Sequence, residues 1–486
     1  MQPQTTYTDF IKTRAHTNPS VTGLLKYIKH APQSSSSLFL LEYAAGCGQF
    51  SSPTSISAED LSKRIQGPST ADGRILFIED IEPSLISGLG QLLNIDPVFF
   101  ADYVTTEFSG IDQAPLAPFR AFYPSQIAER GHLHIHYQQV IDLGQSKNFN
   151  GSVYQVRTRS NVMRNIRLLP DLQGRQLALM RGCCSIVLKK HGGVWYSKSQ
   201  SKMCPAVVLV DPPAKTVFEA QESFLGNQHS AQPLHGGFED FEQPPALSSS
   251  SSYEASLPWN KSSLLSSLLH YYRNYPPGFT GADPPKILSM GYYPIRIALA
   301  EWMLYLHLVS RYLMYYRYSL QTIEGRSHER DLVDLQRWPR RLDQSQHKLH
   351  ILSEFISRWV EEQTEKKPWE TILRDISYAR SQLRRYSISM ERIVPVATSM
   401  VQLLDAQRSG RHAANVTLLT VIALIFIPLS WISGLFSMSE GYLPGEKHFW
   451  VYIATALPLS IVVLILATLP FYRQKLSLGG FLMTPR

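Results

Sequence analysis

The chain has 486 residues, a formal net charge of +8 and a hydrophobic content of 44%. The length exceeds that of one average domain, and the hydrophobic content is ordinary for a globular protein. The basic residues are spread along the chain without a tight basic block, and proximity to anionic lipid headgroups accounts equally well for the positive charge. We therefore expect no nucleic-acid partner.

The first 218 residues have the pattern of mixed α/β structure. Residues 74–78 form a short apolar run typical of a strand, and Pro83 opens a helical pattern that extends to Leu93. Further β-rich runs follow at 133–143, 184–189, 194–196 and 206–210, with Gly192 and Gly193 placed as a hairpin turn. The prediction is an N-terminal α/β cytosolic domain over residues 1–218.

Three histidines alternate along one of these runs, at His132, His134 and His136. Alternation places them on one face of a strand, and this spacing can bind a metal ion. No fourth ligand is identifiable from the sequence, and exposed strand faces alternate in the same way. A polar, solvent-facing strand surface is therefore favoured over a metal site, and any metal ligands stay unknown.

Residues 219–261 are predicted to be a low-complexity linker or surface insertion. They contain the serine run 248–252 and a Gly- and Pro-containing stretch at 229–237, with too few apolar side chains to fold alone. A helical cytosolic region is expected over 262–367. Its apolar run 295–316 carries Arg296, Glu301, His307 and Arg311, which are costly in hydrocarbon, so an amphipathic soluble helix is favoured over a membrane span.

A stalk helix is predicted over residues 368–415, opened by Pro368. Its apolar side chains recur every three or four residues, at Ile376, Ala379, Leu383, Tyr386, Met390, Ile393, Ala397, Met400 and Leu404. Charged residues occupy the other faces, which indicates a seam that packs in a core or a helix bundle. Continued into the next apolar run, the helix would extend about 100 Å at 1.5 Å per residue and couple cytosolic events to the membrane.

Two long apolar runs near the end of the chain, 416–436 and 449–471, contain no charged side chain. A bilayer core of about 30 Å requires about 20 consecutive apolar residues in a helix, and each run supplies that length. Two such runs, separated only by residues 437–448, are difficult to bury in a water-soluble core. We predict an integral, multi-pass membrane protein with transmembrane helices at 416–436 and 449–471, in contact with membrane lipid.

Basic residues close to the two spans predict their orientation, because positive side chains are retained in the cytoplasm. Arg408, Arg411 and His412 precede the first span, and Arg473, Lys475 and Arg486 follow the second, whereas 437–448 has Lys447 against Glu440 and Glu446. Both termini, including the tail 472–486, are expected in the cytosol, and 437–448 is expected to form an extracytosolic loop.

The plasma membrane is the expected location. The first ten residues lack an apolar signal region, so the first span is expected to direct insertion. Residues 1–30 carry Lys12, Arg14, Lys26 and Lys29 against Asp9, which keeps the mitochondrial inner membrane as the alternative. The four cysteines, Cys47, Cys183, Cys184 and Cys204, lack a paired zinc-site spacing, and we expect buried thiols rather than disulfides on the cytosolic side.

A pore would require several copies of the chain, because two spans cannot enclose an aqueous path. One face of the first span follows a 3-4 period and is mostly small or hydroxylic: Ala413, Val416, Thr420, Ala423, Ile427, Ser430 and Gly434, ending at Ser437. Bulky residues such as Leu418, Ile422 and Trp431 suit lipid or neighbouring helices. We predict that the small face lines the pore; the alternative is that it only allows close helix packing.

The first span and its surroundings resemble the CorA family of magnesium transport proteins. The resemblance is carried by Leu-Leu-Thr-Val-Ile-Ala-Leu-Ile-Phe-Ile-Pro-Leu-Ser at 418–430, then Trp-Ile-Ser-Gly-Leu-Phe, a short loop, a second span and a basic tail. It is best over 368–475, while 77–83 and 92–100 look like a divergent fungal branch. The resemblance implies a funnel-shaped homopentamer with an α/β cytosolic domain, a long stalk helix and two transmembrane helices. It also implies Mg²⁺ as the transported ion, with a regulatory role for Mg²⁺ left open.

The family's signature Tyr-Gly-Met-Asn falls at Phe436, Ser437, Met438 and Ser439, where Ser replaces both Gly and Asn. In the family the Asn side chains form a ring that meets the hydrated ion at the pore mouth. A serine ring can still hydrogen-bond first-shell water, although it makes a wider constriction. We expect these residues at the pore mouth, with Glu440 and Glu446 either attracting divalent cations or acting as solvated loop charges.

No nucleophile triad, nucleotide-binding loop, zinc site or paired-carboxylate arrangement has convincing spacing, so we expect neither an enzyme nor a cofactor. The predicted function is a divalent cation channel or transporter, with Mg²⁺ as the ion. Two alternatives stay open. One is transport of another divalent ion such as Zn²⁺, Ni²⁺ or Co²⁺, and the other is a non-conducting, membrane-anchored interaction protein on a CorA-like scaffold.

Overall fold

The computed structural model describes most of the chain, in two compact units formed by Met1–Ile393 and Val394–Arg486. The described residues are 6–30, 36–44, 49–66, 71, 73–104, 131–146, 149, 154–189, 206–220, 225–243, 259–276, 286–319, 328–361, 366–438 and 444–479. The predicted turn at Gly192 and Gly193, the run 194–196, Cys47, Cys204 and the serine run 248–252 lie outside these ranges.

The first unit begins with helices and strands in alternation and ends with helices. Its strands are β1 Ser37–Ala44, β2 Gln49–Phe50, β3 Thr54–Ile56, β4 Gly73–Glu79, β5 His132–Gln145, β6 Tyr154–Arg157, β7 Met163–Leu168, β8 Arg175–Leu188, β9 Ala206–Val210, β10 Thr216–Ala220, β11 Leu225–Ser230 and β12 Gln232–Pro233. Its helices are α1 Tyr7–Thr17, α2 Thr22–His30, α3 Leu61–Gln66, α4 Pro83–Leu93, α5 Pro97–Val104, α6 Leu264–Asn274, α7 Ile287–Ser319 and α8 His328–Val360, followed by the start of α9 Lys367–Ser437.

The strands form one twelve-stranded sheet, in the order β11-β10-β6-β7-β8-β9-β4-β1-β2, with β12, β3 and β5 off this path. The long strand β8 joins the sheet together, because β7 and β9 pair with successive parts of it and β5 pairs with it along nearly its whole length. All pairs are antiparallel except β4 with β9. The mixed α/β class predicted for the N-terminal residues is confirmed.

Helices cover both faces of the sheet. On one face α1, α2, α4 and α5 build a core cluster with side chains from β4, β8 and β9. On the other face α6 packs its Tyr272 ring against Phe77, with ring centroids 5.6 Å apart, and α7 lies close to β5. At Gly291 of α7 an added Cβ would lie 2.8 Å from Cδ2 of Leu133, so a larger residue there would displace that side chain.

Strand β5 is therefore covered on both faces, which corrects the solvent-facing prediction for its histidines. Phe99 of α5 lies against the rings of His132 and His134, with centroids 6.2 and 5.5 Å apart, and both histidines are buried. The other face of the strand meets α7, where Gln139 donates to Glu301 at 3.2 Å. Alternation along a strand specifies its two faces but leaves open whether a neighbouring element covers each face.

A buried ion pair joins Arg164 of β7 to Asp211, the residue that follows β9. The guanidinium of Arg164 donates to both carboxylate oxygens of Asp211, at 2.6 and 2.8 Å, and Asp211 also accepts the backbone N–H of Cys183. Tyr103 of α5 lies against Arg164 and donates to the carbonyl of Val210. Cys183 and Cys184 are free and buried, as predicted, and burial raises the pKa of the Cys183 thiol to about 11.

Part of the predicted linker, residues 219–261, forms strands in the structure. Leu225–Ser230 pairs with Thr216–Ala220 in the sheet, and Gln232–Pro233 pairs with β5. Phe241 then stacks on Tyr271 of α6 with centroids 4.6 Å apart. The neighbouring sheet and helix supply the apolar contacts that the segment lacks by itself.

The helical region has the predicted character. Helix α7 buries Trp302, Tyr305 and Tyr312 and exposes His307 and Arg311, as an amphipathic soluble helix should. Helix α8 packs on it through Trp338, whose indole N–H donates to the Tyr316 hydroxyl at 3.2 Å.

The start of α9 packs inside the first unit. Trp369 lies edge-on to Tyr292, with centroids 5.5 Å apart, and Asp375 pairs with Arg296 at 3.7 Å. The predicted apolar seam is buried at Ile376, Ala379, Leu383 and Met390. The seam therefore belongs to a packed core in this part of the helix.

The second unit contains the remainder of α9 and the helix α10 Phe449–Gly479. Helix α9 continues through Pro395 and Pro428 to Ser437, so the predicted stalk and first span form one helix. An α/β sheet domain followed by a long helix and a shorter one is the predicted chain order, which is confirmed.

Candidate pore segment

The C-terminal part of α9 is long and apolar enough to cross a membrane, and it is the one described helix that meets both requirements. The described side chains of α10 form a shorter apolar stretch, Phe449–Val463. Large apolar side chains are exposed along both helices of the second unit, among them Leu419, Phe426, Trp431, Trp450 and Leu457. Apolar surface of this extent requires a lipid or protein environment.

One face of α9 packs against α10. Near the loop between them, Phe436 meets Tyr452 edge-on with ring centroids 5.8 Å apart. One turn further from the loop on each helix, Ile432 and Ala456 are both buried. Partly buried residues extend this packed face along α9 at Thr417, Val421, Leu424, Ile425, Pro428 and Leu429.

The predicted pore face points elsewhere. Its members, Ala413, Val416, Thr420, Ala423, Ile427, Ser430, Gly434 and Ser437, are all exposed in the single chain. At about 100° per residue, this face and the packed face lie on roughly opposite sides of α9. A side chain added at Gly434 would meet nothing within 4 Å, so α10 does not approach that position. The assignment of this face to a pore stays a prediction.

Two hydroxyls on the exposed face donate to their own helix. Thr420 donates to the carbonyl of Val416 at 2.8 Å, and Ser430 donates to the carbonyl of Ile427 at 2.9 Å. Each hydroxyl proton is used in this way, so the oxygen presents its lone pairs to whatever lies beside the helix. Such oxygens can accept hydrogen bonds from water molecules bound to a cation.

The predicted pore mouth lies where α9 ends. Ser437 is the last helical residue, and Met438 follows it with 87% of its surface exposed. Ser439 and Glu440 lie outside the described residues. On the other side of the loop Glu446 is exposed, and its carbonyl accepts the N–H of Phe449 at 3.2 Å. Gly445 has a φ of +105°, a backbone conformation that favours glycine.

Comparison with protein families gives a match to the model described as "CorA-like Mg2+ transporter protein" over residues 317–473. The matched region includes α8, α9 and most of α10. It therefore contains every predicted pore-lining and pore-mouth residue. No curated protein matches the chain.

Among solved structures, the chain is similar to the CorA magnesium transporter from Methanocaldococcus jannaschii. The identity is 10%, the coverage is 91% of this chain and 98% of that one, and the TM-score is 0.38. It is also similar to the full-length CmaX protein, with 10% identity, coverage of 90% and 99%, and a TM-score of 0.32. A third match is the cytoplasmic domain of ZntB from Vibrio parahaemolyticus RIMD 2210633, with 10% identity, coverage of 78% and 100%, and a TM-score of 0.30.

Proposed function

We propose that the chain, which belongs to the CorA-like family through residues 317–473, forms a homopentamer that conducts divalent cations, chiefly Mg²⁺, through a central pore. Helix α9 of each subunit lines the pore. The observation that carries the proposal is the small and hydroxylic face of α9, which α10 leaves uncovered. Helix α10 then lies outside α9 and meets lipid.

The chemistry of this face suits a hydrated ion. Mg²⁺ releases its water slowly and prefers six oxygen ligands at about 2.0–2.1 Å, so it is most easily handled with its first shell intact. The bound waters donate hydrogen bonds, and the oxygens of Thr420 and Ser430 can accept them. Ile427 lies on the same face between these two rings, and Val416 lies one turn before Thr420; both provide apolar constrictions.

The pore mouth is proposed at Ser437, Met438 and Ser439. A serine ring contacts water less specifically than a carboxamide ring would, so we expect conduction of Mg²⁺ with weak discrimination against Co²⁺, Ni²⁺ and Zn²⁺. Glu446, repeated around the axis with Glu440, raises the local concentration of divalent cations. In the proposed orientation both termini lie in the cytosol and the loop lies outside, as the basic residues that flank the two spans predict, and the membrane is the plasma membrane.

Ion flux into liposomes tests the proposal. The purified full chain is reconstituted with an internal Mg²⁺ indicator, and the initial rate is measured after addition of MgCl₂, alone and with each competing divalent cation. We expect uptake that saturates with Mg²⁺ and is inhibited by Co²⁺ and Ni²⁺. Uptake equal to that of protein-free liposomes, for every divalent cation tested, would refute the transport function.

A further inference from the structure

Two elements of the first unit bring three potential metal ligands together. Helix α5 contributes Asp102, and strand β5 begins with His132 and continues to His134. One oxygen or nitrogen atom of each side chain lies within 4.8 Å of the other two, and no other such group of three occurs in the part of the chain that the structure describes. The proximity of Asp102 to the two histidines could not be predicted from local sequence, because Asp102 lies 30 residues before His132.

The three groups are buried. His132 is 2% exposed, and the side chains of His134 and Asp102 are 1% and 5% exposed. Phe99 covers both imidazole rings on the α5 side. A carboxylate and two imidazoles are costly to bury in an apolar core, and a cation among them would offset this cost directly.

The geometry is close to that of a metal site. Asp102 Oδ2 lies 3.6 Å from Nε2 of His134, longer than a direct hydrogen bond. Two ligands of a tetrahedral ion with bonds of about 2.0–2.1 Å are about 3.3 Å apart. The widest pair of ligand atoms, at up to 4.8 Å, would close by no more than about 1.5 Å when an ion binds.

A hydrogen bond orients His134 for this role. Its Nδ1 lies 2.7 Å from the hydroxyl oxygen of Ser185, which is directly opposite on β8. When Nδ1–H donates to Ser185, the lone pair of the ring is on Nε2, the nitrogen that faces Asp102. Histidine ligands in metal sites are held in the same way by a second hydrogen bond.

We propose that Asp102, His132 and His134 bind one divalent cation of the zinc type and so hold α5 against the start of β5. Two imidazole nitrogens and one carboxylate oxygen favour Zn²⁺, Co²⁺ or Ni²⁺ over Mg²⁺, which requires oxygen ligands. The site belongs to the first unit, and the proposal does not depend on which ion the pore conducts. Water can complete the coordination, as it does in three-ligand zinc sites.

Metal binding to the full chain in detergent tests the proposal. Protein treated with chelator is titrated with Co²⁺ and then Zn²⁺ in the presence of millimolar Mg²⁺, and bound metal per chain and melting temperature are measured. We expect one tightly bound Co²⁺, displaced by Zn²⁺ but not by Mg²⁺, and a higher melting temperature with the ion. Asp102→Asn and His134→Gln should each weaken binding at least about tenfold, whereas His136→Gln, on the same strand, should bind as the wild type does.

Other outcomes contradict the site. Equal metal content in the wild type, Asp102→Asn and His134→Gln would show that these residues form only a buried ion pair. Loss of the ion in His136→Gln, with binding retained in Asp102→Asn, would place it elsewhere. Should the variants fail to fold, the wild-type Co²⁺ spectrum still decides, because a thiolate charge-transfer band would require a cysteine ligand that the proposed site lacks.

Discussion

Glu301 is a buried carboxylate whose ionisation opposes folding. Burial raises its pKa from 4.5 to about 7, and the hydrogen bond from Gln139 lowers it only in part. The folded chain therefore holds this proton more tightly than the unfolded chain does, so the stabilisation is complete below pH 4.5 and is lost as pH rises through 7. The difference between a pKa of 4.5 in the unfolded chain and about 7 in the folded chain corresponds to about 3 kcal/mol.

Glu301→Gln should remove this pH dependence, because it replaces the carboxyl group with an uncharged amide of the same shape. We expect the variant to exceed the wild type by about 3 kcal/mol at pH 8 and to differ little from it at pH 4.5. Denaturation of the full chain in detergent at both pH values provides the measurement. Glu370→Gln, at an exposed position of α9, is the control and should follow the wild type. An equal gain at both pH values would mean that the charge of Glu301 is not the cause.

Asp211 is expected to be essential for the stability of the first unit. Asp211→Asn leaves the buried guanidinium of Arg164 without its counter-charge, which typically costs about 3–5 kcal/mol. A fall in melting temperature should report this loss. The control Lys12→Gln breaks the exposed pair with Asp9, at 2.8 Å, and should lower the melting temperature far less, because solvent screens this pair. Similar losses in the two variants would contradict the importance of burial.

At the scale of an element, two exposed positions on opposite sides of α9 should respond differently to the same substitution. Thr420→Trp places an indole on the proposed pore face, whereas Leu418→Trp places it about 160° away around the helix. Both positions are exposed in the single chain. We expect Mg²⁺ uptake into liposomes to fall at least tenfold in Thr420→Trp and to stay near the wild-type rate in Leu418→Trp, after normalisation for assembled protein. The reverse result would place the pore on another face.

Local patterns were sufficient to predict several elements. The strand at 74–78, the helix opened by Pro83 and the helical seam from Ile376 are each specified by the spacing of their own apolar residues. The site in the core was not predictable in the same way. Pairing of His134 with Ser185 and the approach of Asp102 depend on contacts across the sheet, which no short segment of sequence contains.

The strands at 225–233 show the same limit. Their residues are polar and read as a linker, but they pair with strands that are already supported by the sheet. The long apolar helix over 416–437 was easier to predict, because the length and the absence of charge in its own residues suffice to specify it. Whether its small face lines a pore depends on other copies of the chain, and one sequence specifies that face without specifying what it meets.

At the scale of the whole molecule, we expect an assembly of five chains. Five copies of 55.1 kDa amount to about 276 kDa of protein. Native mass spectrometry in a mild detergent, which separates bound detergent from protein, should give this mass. A monomer or a dimer at working concentration would rule out a pore enclosed by α9, since one or two copies cannot surround an axis.

The orientation of the second unit can be checked in intact cells. Glu446→Cys should react with a membrane-impermeant thiol reagent from outside, and Arg411→Cys should react only after the cells are permeabilised. Both positions are exposed, so differences in reactivity report the side of the membrane. The buried Cys183 and Cys184 should contribute little background, and both variants are made in a chain in which Cys47 and Cys204 are replaced by serine. Labelling of Arg411→Cys in intact cells would reverse the proposed orientation.

The parallel pair of β4 and β9 has a consequence for synthesis of the chain. Ile75 of β4 pairs with Ala206 of β9, which is synthesised 131 residues later. The other edge of β4 can pair with β1, which precedes it in the chain. Ribosomes add about 5–20 residues per second, which leaves the edge that pairs with β9 open for about 7–26 s. During this interval a buried apolar strand is exposed to other nascent chains. The first unit should therefore depend on chaperones that shield strand edges, before either membrane helix has left the ribosome.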